Sequence, residues 1–299
     1  MKDLKHLIYF ENLLQEANNE LVQKAKANGE YAIGYTCYFM PEVLLDLPGC
    51  FSVRLRAPRC TSPDMATYYM SSRVCHYARS LLERALEGGY NFIDAQLGTE
   101  TCAGTCRFQE HLAELPDLIQ NEKFFVSFTD VPFKKNENSI EHFAATLQKH
   151  VLDELHEHFG IDTSDEALRA TIEAHNEICD IITQIGEFRK LDKPTITGTE
   201  FHIINLVSMV CPKYLILPYL RETLEDLKTR EADAKPNYRV KVVLAGSEND
   251  DPDFTKLVES CGALVVADRY CYGSLPGREK IEIRKGETAL RAENHSSSG

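Results

Sequence analysis

With 299 residues, 43% of them hydrophobic and 26% charged, the chain is long enough for roughly two domains of ordinary globular composition. Basic residues number 33 and acidic residues 46, and the resulting net charge of −13 repels phosphate backbones and anionic lipid, which excludes generic nucleic-acid or membrane-surface binding. The opening MKDLKHLIYFENLLQEANNE carries acids throughout, unlike a secretory leader, and the most apolar window, Phe201 to Leu220, is broken by His202, Asn205, Pro212, Lys213 and Pro218, so a soluble cytoplasmic protein is expected.

Residues 1 to 27 place Leu4, Leu7, Ile8, Leu13, Leu14, Leu21 and Val22 at helical spacing. Tyr31 to Cys37 reads as a short buried strand. Pro41-Glu42 opens a helical turn of Val43, Leu44 and Leu45, a position where a missing N–H costs nothing. Phe51 to Leu55 is a second strand, Tyr77 to Leu86 a helix stopped at Gly88-Gly89, Asn91 to Ala95 a third strand and Lys123 to Thr129 a fourth. Strands alternating with helices predict an α/β layer with a parallel sheet.

From about residue 139 the pattern becomes helical. Ile140, Phe143, Leu147, Val151, Leu155 and Phe159 share one face, and Gly160 ends the run. Thr163-Ser-Asp-Glu166 and Thr197-Gly-Thr-Glu200 are capping-box sequences ahead of further helices, and Tyr214 to Arg230 reads as a helix bent or interrupted at Pro218. Arg239 to Gly246, Asp253 to Ser260 and Ala263 to Ala267 then spell strand, helix and strand. After Gly277 the pattern fades into charged sequence. The expected architecture is α/β: two Rossmann-like parallel-sheet lobes, 1–138 and 235–299, joined by a helical segment, 139–234, with the second lobe incomplete.

The ten cysteines are unusual. Without an export signal they are expected as reduced thiols. Cys179, inside an amphipathic helix pattern, and Cys211, in an apolar run, read as core. Cys75, in SSRVCHYAR, Cys102 and Cys106, in GTETCAGTCR, and Cys271, in ADRYCYG, fall at strand ends or helix starts, where a helix N-terminus and a nearby Arg79, Arg107 or Arg269 favour the thiolate. Thiolates bind zinc and iron–sulfur clusters. Spacing alone leaves a metal site and unrelated packed or surface thiols both open. Cys102 and Cys106 share a face if their segment is helical, while Gly104 between them suits a loop equally.

Taken in order, Gly34-Tyr-Thr-Cys37 with Pro41-Glu42, Cys75-His-Tyr-Ala-Arg79, Thr101-Cys102, Asp130-Val-Pro132, Gly246-Ser-Glu-Asn-Asp-Asp251, Asp268 and Cys271-Tyr-Gly273-Ser274 resemble the 2-hydroxyacyl-CoA dehydratase and benzoyl-CoA reductase family over roughly residues 30 to 277. The resemblance implies a [4Fe–4S] cluster held by Cys75, Cys102 and Cys271, with one iron left open. It implies elimination of water from a 2-hydroxyacyl-CoA through a ketyl radical, after one-electron activation by an ATP-hydrolysing iron–sulfur activator. A related dehydratase subunit, or a second copy of the chain, is the implied partner and an acyl-CoA the implied substrate.

The chain departs from the family's pattern in places. Thr-Cys-Asp becomes Thr101-Cys102-Ala103, and Cys106 is extra, so it stands as a further ligand or as a recruit to a double-cubane [8Fe–9S] cluster. Pro-Glu-Glu becomes Pro41-Glu42-Val43. Cys37 is read as structural ahead of ligand, and Glu42 as a solvated helix-start carboxylate ahead of one that caps or contacts the site. Family members run on beyond the third cysteine, so the second lobe is expected to leave an open sheet edge and an uncovered apolar face. His142, His150, His156, His158 and His175 read as surface residues, while His76 stands beside a ligand. No GxGxxG or P-loop occurs, so no ATP or dinucleotide site of its own is expected. The rival readings are an ATP-coupled double-cubane or benzoyl-CoA reductase-type subunit and a truncated, non-catalytic accessory subunit.

Overall fold

The structure, a computed structural model, describes residues 2–115, 118–276 and 278–297, so Gly277 and the last two residues lie outside it. Two helices, α1 (Leu7–Leu13) and α2 (Glu20–Ala27), lead in, the second capped by Asn19 Oδ1, which accepts from Leu21 N and Val22 N. Then come β1 (Tyr31–Tyr35), a 3₁₀ turn at Glu42–Leu45, β2 (Cys50–Arg54), α3 (His76–Leu86), β3 (Ala95–Thr99), α4 (Ala103–Glu114) and β4 (Phe125–Thr129). All pairings are parallel, in the order β2-β1-β3-β4, with Tyr35 beside Arg54 and Thr99 beside Thr129 at the carboxyl ends. Alternating side chains feed two cores: Ala32, Phe51 and Val53 enter one, and Ile33, Tyr35, Ala95 and Leu97 enter the other. A sheet covered on both faces is the usual setting of parallel strands.

The third strand lies four residues beyond its expected place. Ile93 is buried, but in the turn, and the strand itself is the unpromising Ala-Gln-Leu-Gly-Thr. Asp94 explains the shift: its carboxylate accepts the Ala32 N–H at 2.7 Å and pairs with Lys26, fixing the entry to the sheet ahead of the paired residues.

The helical stretch begins with α5 (Glu137–Leu147), a π-helical turn (Gln148–Asp153) and α6 (Glu154–Phe159), which ends at Gly160 with φ +70°. Ser164 caps α7 (Asp165–Glu187), one residue after the expected Thr163. Thr197 and Glu200 form the full capping box of α8 (Gly198–Val210), and α9 (Lys213–Thr229) runs through Pro218. Helix α8 is buried on every side. It packs against β2 on one flank and, on the other, against α10 (Pro252–Ser260) and β6 (Ala263–Arg269).

Strand β6 pairs in parallel with β5 (Val240–Ala245), with a register shift at Val242/Val243. Val240 and Val243 on β5, and Phe254 and Leu257 on α10, are at least half exposed. Beyond residue 277, where the apolar pattern fades, a further helix, α11 (Ala289–Ser297), packs its small residues Ala289 and Ala292 into the core beside α5 and α7. Among the described residues no helix is long and apolar enough to cross a membrane.

Candidate functional site

Strand order reverses between β1 and β3, and at such a point the loops leaving adjacent strands diverge and open a crevice beyond their carboxyl ends. Cys37 follows β1 and Cys102 follows β3, and their loops touch: Thr101 Oγ1 donates to Cys37 Sγ at 3.2 Å. Cys102 is the N-cap residue of α4 and Cys75 that of α3, both exposed and neither capping through its side chain. Gly104 brings the two helix starts together, since a Cβ at this position would lie 3.3 Å from Cys75 Sγ.

The third loop comes from the other sheet. Cys271, half-buried two residues after β6, donates its backbone N–H to Ser247 O at 2.9 Å. Arg54, at the end of β2, donates from Nε to Thr36 O at 2.9 Å and from Nη1 to Cys271 O at 2.8 Å, with its guanidinium 4.0 Å from the centre of the Tyr272 ring. Tyr272 in turn donates its hydroxyl to Leu55 O and meets the Tyr77 hydroxyl at 2.5 Å. One guanidinium and one tyrosine pair therefore hold the loops of Cys37, Cys75 and Cys271 together. Asp268 sets the turn that carries Cys271, accepting from Ser274 N at 2.6 Å and pairing with buried Arg189 at 2.6 Å. Burial, followed by the neighbouring Glu248, pushes the Cys271 thiol up to about 12, and a charge on Cys37 also opposes its ionisation.

The segment from Cys102 to Cys106 is helical, with Cys106 N bonded to Cys102 O at 2.9 Å, which settles the helix-or-loop alternative. Cys106 Sγ donates to Thr99 O at 3.8 Å and turns back toward β3. Cys50, Cys179 and Cys211 are core residues. The arginines expected near the thiols divide: Arg107 pairs with Glu110 and Arg79 donates to Val74 O at 3.1 Å, whereas Arg269 lines the adjacent cleft. His76 is exposed and meets Ser80 Oγ at 3.0 Å.

Accessible thiols at helix starts are suitable donors for an iron–sulfur cluster. They do not surround a single-ion position: among the described residues no three His, Cys, Asp or Glu side chains converge to hold one metal ion. A cubane takes each thiolate on a different iron, so a cluster asks a wider spacing of its thiols than a single ion does.

Beside the crevice lies a cleft of about 270 Å³ lined by Tyr35, Tyr38, Glu42, Arg54, His175 and Arg278, among others. Here two sequence expectations are corrected. Glu42 is not solvated: its carboxylate accepts from Tyr35 Oη at 2.6 Å, Arg278 Nη1 at 2.7 Å and Lys213 Nζ at 3.2 Å. Burial would raise its pKa, but Lys213 and Arg278 outweigh that and hold it well below the usual carboxylate range. His175 is not a surface residue either. Its Nδ1 lies 3.7 Å from Glu42 Oε1 and its Nε2 3.3 Å from Cys179 Sγ. Burial lowers it to about 4, against the pull of Glu42, so the ring is neutral at pH 7. Local patterning hides both roles because Lys213 and Arg278 come from distant parts of the chain. His142, His156 and His158 are exposed as expected, and His150 is half-buried.

Arg54, Lys213 and Arg278 were missed from the sequence. Arg54 alone leaves a local signal, as a charge within the buried strand Cys50–Arg54, where an unpaired cation is costly.

The fold and the site define an α/β protein in which two thiol-bearing loops, those of Cys37 and Cys102, meet at the switch point of a parallel sheet. The match to the family model of the 2-hydroxyglutaryl-CoA dehydratase D-component spans residues 37–292, and the chain belongs to that family. It is 21% identical over 265 residues to the (R)-phenyllactyl-CoA dehydratase beta subunit of Clostridium sporogenes, covering 89% of this chain and 69% of that protein. It is 25% identical over 206 residues to a benzoyl-CoA reductase subunit of Thauera aromatica, covering 68% of this chain and 51% of the relative, so it spans about half of that protein's length.

Proposed function

We propose that the chain is an iron–sulfur subunit of a 2-hydroxyacyl-CoA dehydratase, with Cys75, Cys102 and Cys271 holding a [4Fe–4S] cluster. The observation that carries this reading is the meeting, at one crevice, of three loops that lie far apart in sequence. A bound cluster would supply a low-potential electron for removing the hydroxyl group from an acyl-CoA thioester. In this reading the chain's own residues prepare the surroundings. Arg54 joins the loops of Cys37 and Cys271, and the cleft beside it takes the acyl group. Enclosure of that group excludes water from a reactive intermediate.

A related subunit and an ATP-hydrolysing activator complete the proposed system in the cytoplasm. The phenyllactyl-CoA dehydratase relative is itself a beta subunit, which supports a subunit role. The benzoyl-CoA reductase relative supports ring reduction as the second reading. Recruitment of Cys106 to a double cubane is less favoured, because its thiol is engaged with Thr99 O.

The test is anaerobic reconstitution with iron and sulfide, read by absorbance, metal analysis and EPR. The wild type is expected to bind about four irons per chain, and Cys75→Ala, Cys102→Ala and Cys271→Ala each to lose the chromophore. A colourless, iron-free wild type overturns the proposal, and about eight irons per chain favours the double-cubane alternative.

A further inference from the structure

A second cavity adjoins the cleft that takes the acyl group in the reading above. It also measures about 270 Å³, and its walls are largely apolar, with Leu47, Phe51, Ala174, Ile178 and Leu217 among them. Among the described residues His175 alone lines both spaces, so at this point the partition is one side chain thick. Thr171, Ala174 and Ile178, its neighbours on α7, lie on the second cavity, while Tyr35, Glu42 and Arg278 lie on the cleft.

The imidazole is held across the gap. Its Nδ1 lies 3.7 Å from Glu42 Oε1 and its Nε2 3.3 Å from Cys179 Sγ. Lys213, on the second cavity, donates to Glu42 Oε2 at 3.2 Å, so polar groups from the two sides meet in one layer. The His175 side chain keeps 16% of its surface accessible, as a residue between two hollows does. Volume sets what the cleft can take. A cavity of about 150 Å³ holds the six carbons of benzene, roughly 25 Å³ for each, so 270 Å³ holds about ten.

We propose that His175 is the specificity-determining wall of the cleft, restricting the chain to acyl groups of about ten carbons or fewer. This inference rests on the placing of the acyl group in the cleft and is independent of the cluster. Beyond the ring lies the apolar hollow that a longer chain would enter if the ring were absent. The imidazole suits a wall better than a reacting group, because each nitrogen faces a protein group. The ring is neutral at pH 7, so its removal strands no charge, and Glu42 keeps Tyr35, Lys213 and Arg278.

The test is binding, which needs no electron and no turnover. Straight-chain acyl-CoA thioesters without the 2-hydroxyl group, from butanoyl- to tetradecanoyl-CoA, are titrated calorimetrically into the full-length chain below their micelle-forming concentrations. Coenzyme A alone gives the baseline. Wild type is expected to gain up to about fourfold in affinity for each methylene that enters the cleft, and nothing between decanoyl- and tetradecanoyl-CoA. His175→Ala should go on gaining, and should bind tetradecanoyl-CoA at least about tenfold more tightly than wild type does. His175→Asn, still polar but smaller than imidazole, is the second opening variant should the alanine variant fold poorly. Ala174→Leu fills the second cavity from α7. Alone it should leave the wild-type profile unchanged, and combined with His175→Ala it should cancel the gain, which a general loosening of the fold would not do. A wild type whose affinity climbs through tetradecanoyl-CoA, opening variants that match wild type, or a gain that survives Ala174→Leu overturns this inference alone. A wild type that binds none of the series more tightly than coenzyme A overturns the placing of the acyl group and this inference with it, while the test of the thiols stands apart.

Discussion

Arg278 Nη1 donates to Glu42 Oε1 at 2.7 Å, joining residues 236 apart in the chain. Lys213 shares the same carboxylate, so Glu42 neutralises two cations that are themselves almost buried. Glu42→Ala takes this carboxylate from both, leaving Lys213 with the more distant Asp46, and removing one partner of a buried charge cluster costs about 3–5 kcal/mol. Urea unfolding of Glu42→Ala beside wild type measures this, and a loss below about 1 kcal/mol would show that water takes over the carboxylate's role.

Stability between pH 4 and 6.5 is expected to rise with pH. His175 is lowered to about 4 and His202 to about 3, burial being the leading cause for each, so over this range the unfolded chain binds these protons and the folded chain releases them. Buried Asp46 is raised to about 6 and acts the other way, holding a proton in the folded state that the unfolded state has lost. Glu248, raised by burial, also acts that way, while Glu42, held low by Lys213 and Arg278 against its burial, adds to the two histidines, so the net slope is positive. His202→Gln should flatten it, and a melting temperature that falls as pH rises from 4 to 6 contradicts the assignment.

Two glycines of the site should respond with opposite signs. A Cβ at Gly273 would run into Asp268 Oδ1 and lie 2.6 Å from the Tyr270 ring, forcing apart the turn that Arg189 locks. Gly273→Ala is therefore expected to cost about 1–3 kcal/mol. Gly104 lies in the first turn of α4, where alanine is favoured over glycine by up to about 1 kcal/mol, and its new methyl group would sit 3.3 Å from the sulfur of Cys75, with Ala78 Cβ at 3.4 Å and Val74 Cγ1 at 3.6 Å in ordinary contact. Gly104→Ala should hold or raise the melting temperature while lowering iron retention. If both variants melt early, the sulfur is not free to move aside.

Val243 is 65% exposed on β5, and Leu257 is 61% exposed on α10. Exposed apolar side chains beside an edge strand promote association. Sedimentation velocity should show aggregation that rises with concentration, and Val243→Lys with Leu257→Lys should suppress it. A monodisperse monomer at high concentration in the parent chain removes the premise.

Most of the scaffold was legible because parallel strands covered on both faces are short apolar runs, and Tyr31–Tyr35 and Cys50–Arg54 are of that type. Strand β3 was misplaced because Ala-Gln-Leu-Gly-Thr has little strand propensity of its own and is held by neighbours on both sides. The thiol loops were legible from the breaks around them. The cleft was not, since Glu42 and His175 owe their burial to Lys213 and Arg278, and no local periodicity links those positions. Arg54 is the intermediate case: a charged residue at the end of a buried strand signals that something must answer it, without saying what.

The joint at Leu55 reaches beyond the crevice. The Tyr272 hydroxyl donates to the Leu55 carbonyl, and its ring lies beneath the Arg54 guanidinium, so the turn after β6 is fastened to the last residue of β2 and to the one that follows it. Heat that loosens either sheet strips partners from the other. Calorimetry should therefore record one shared melting event, and a crosslink or a cut near Tyr272 would be felt as far away as the first strands of the chain.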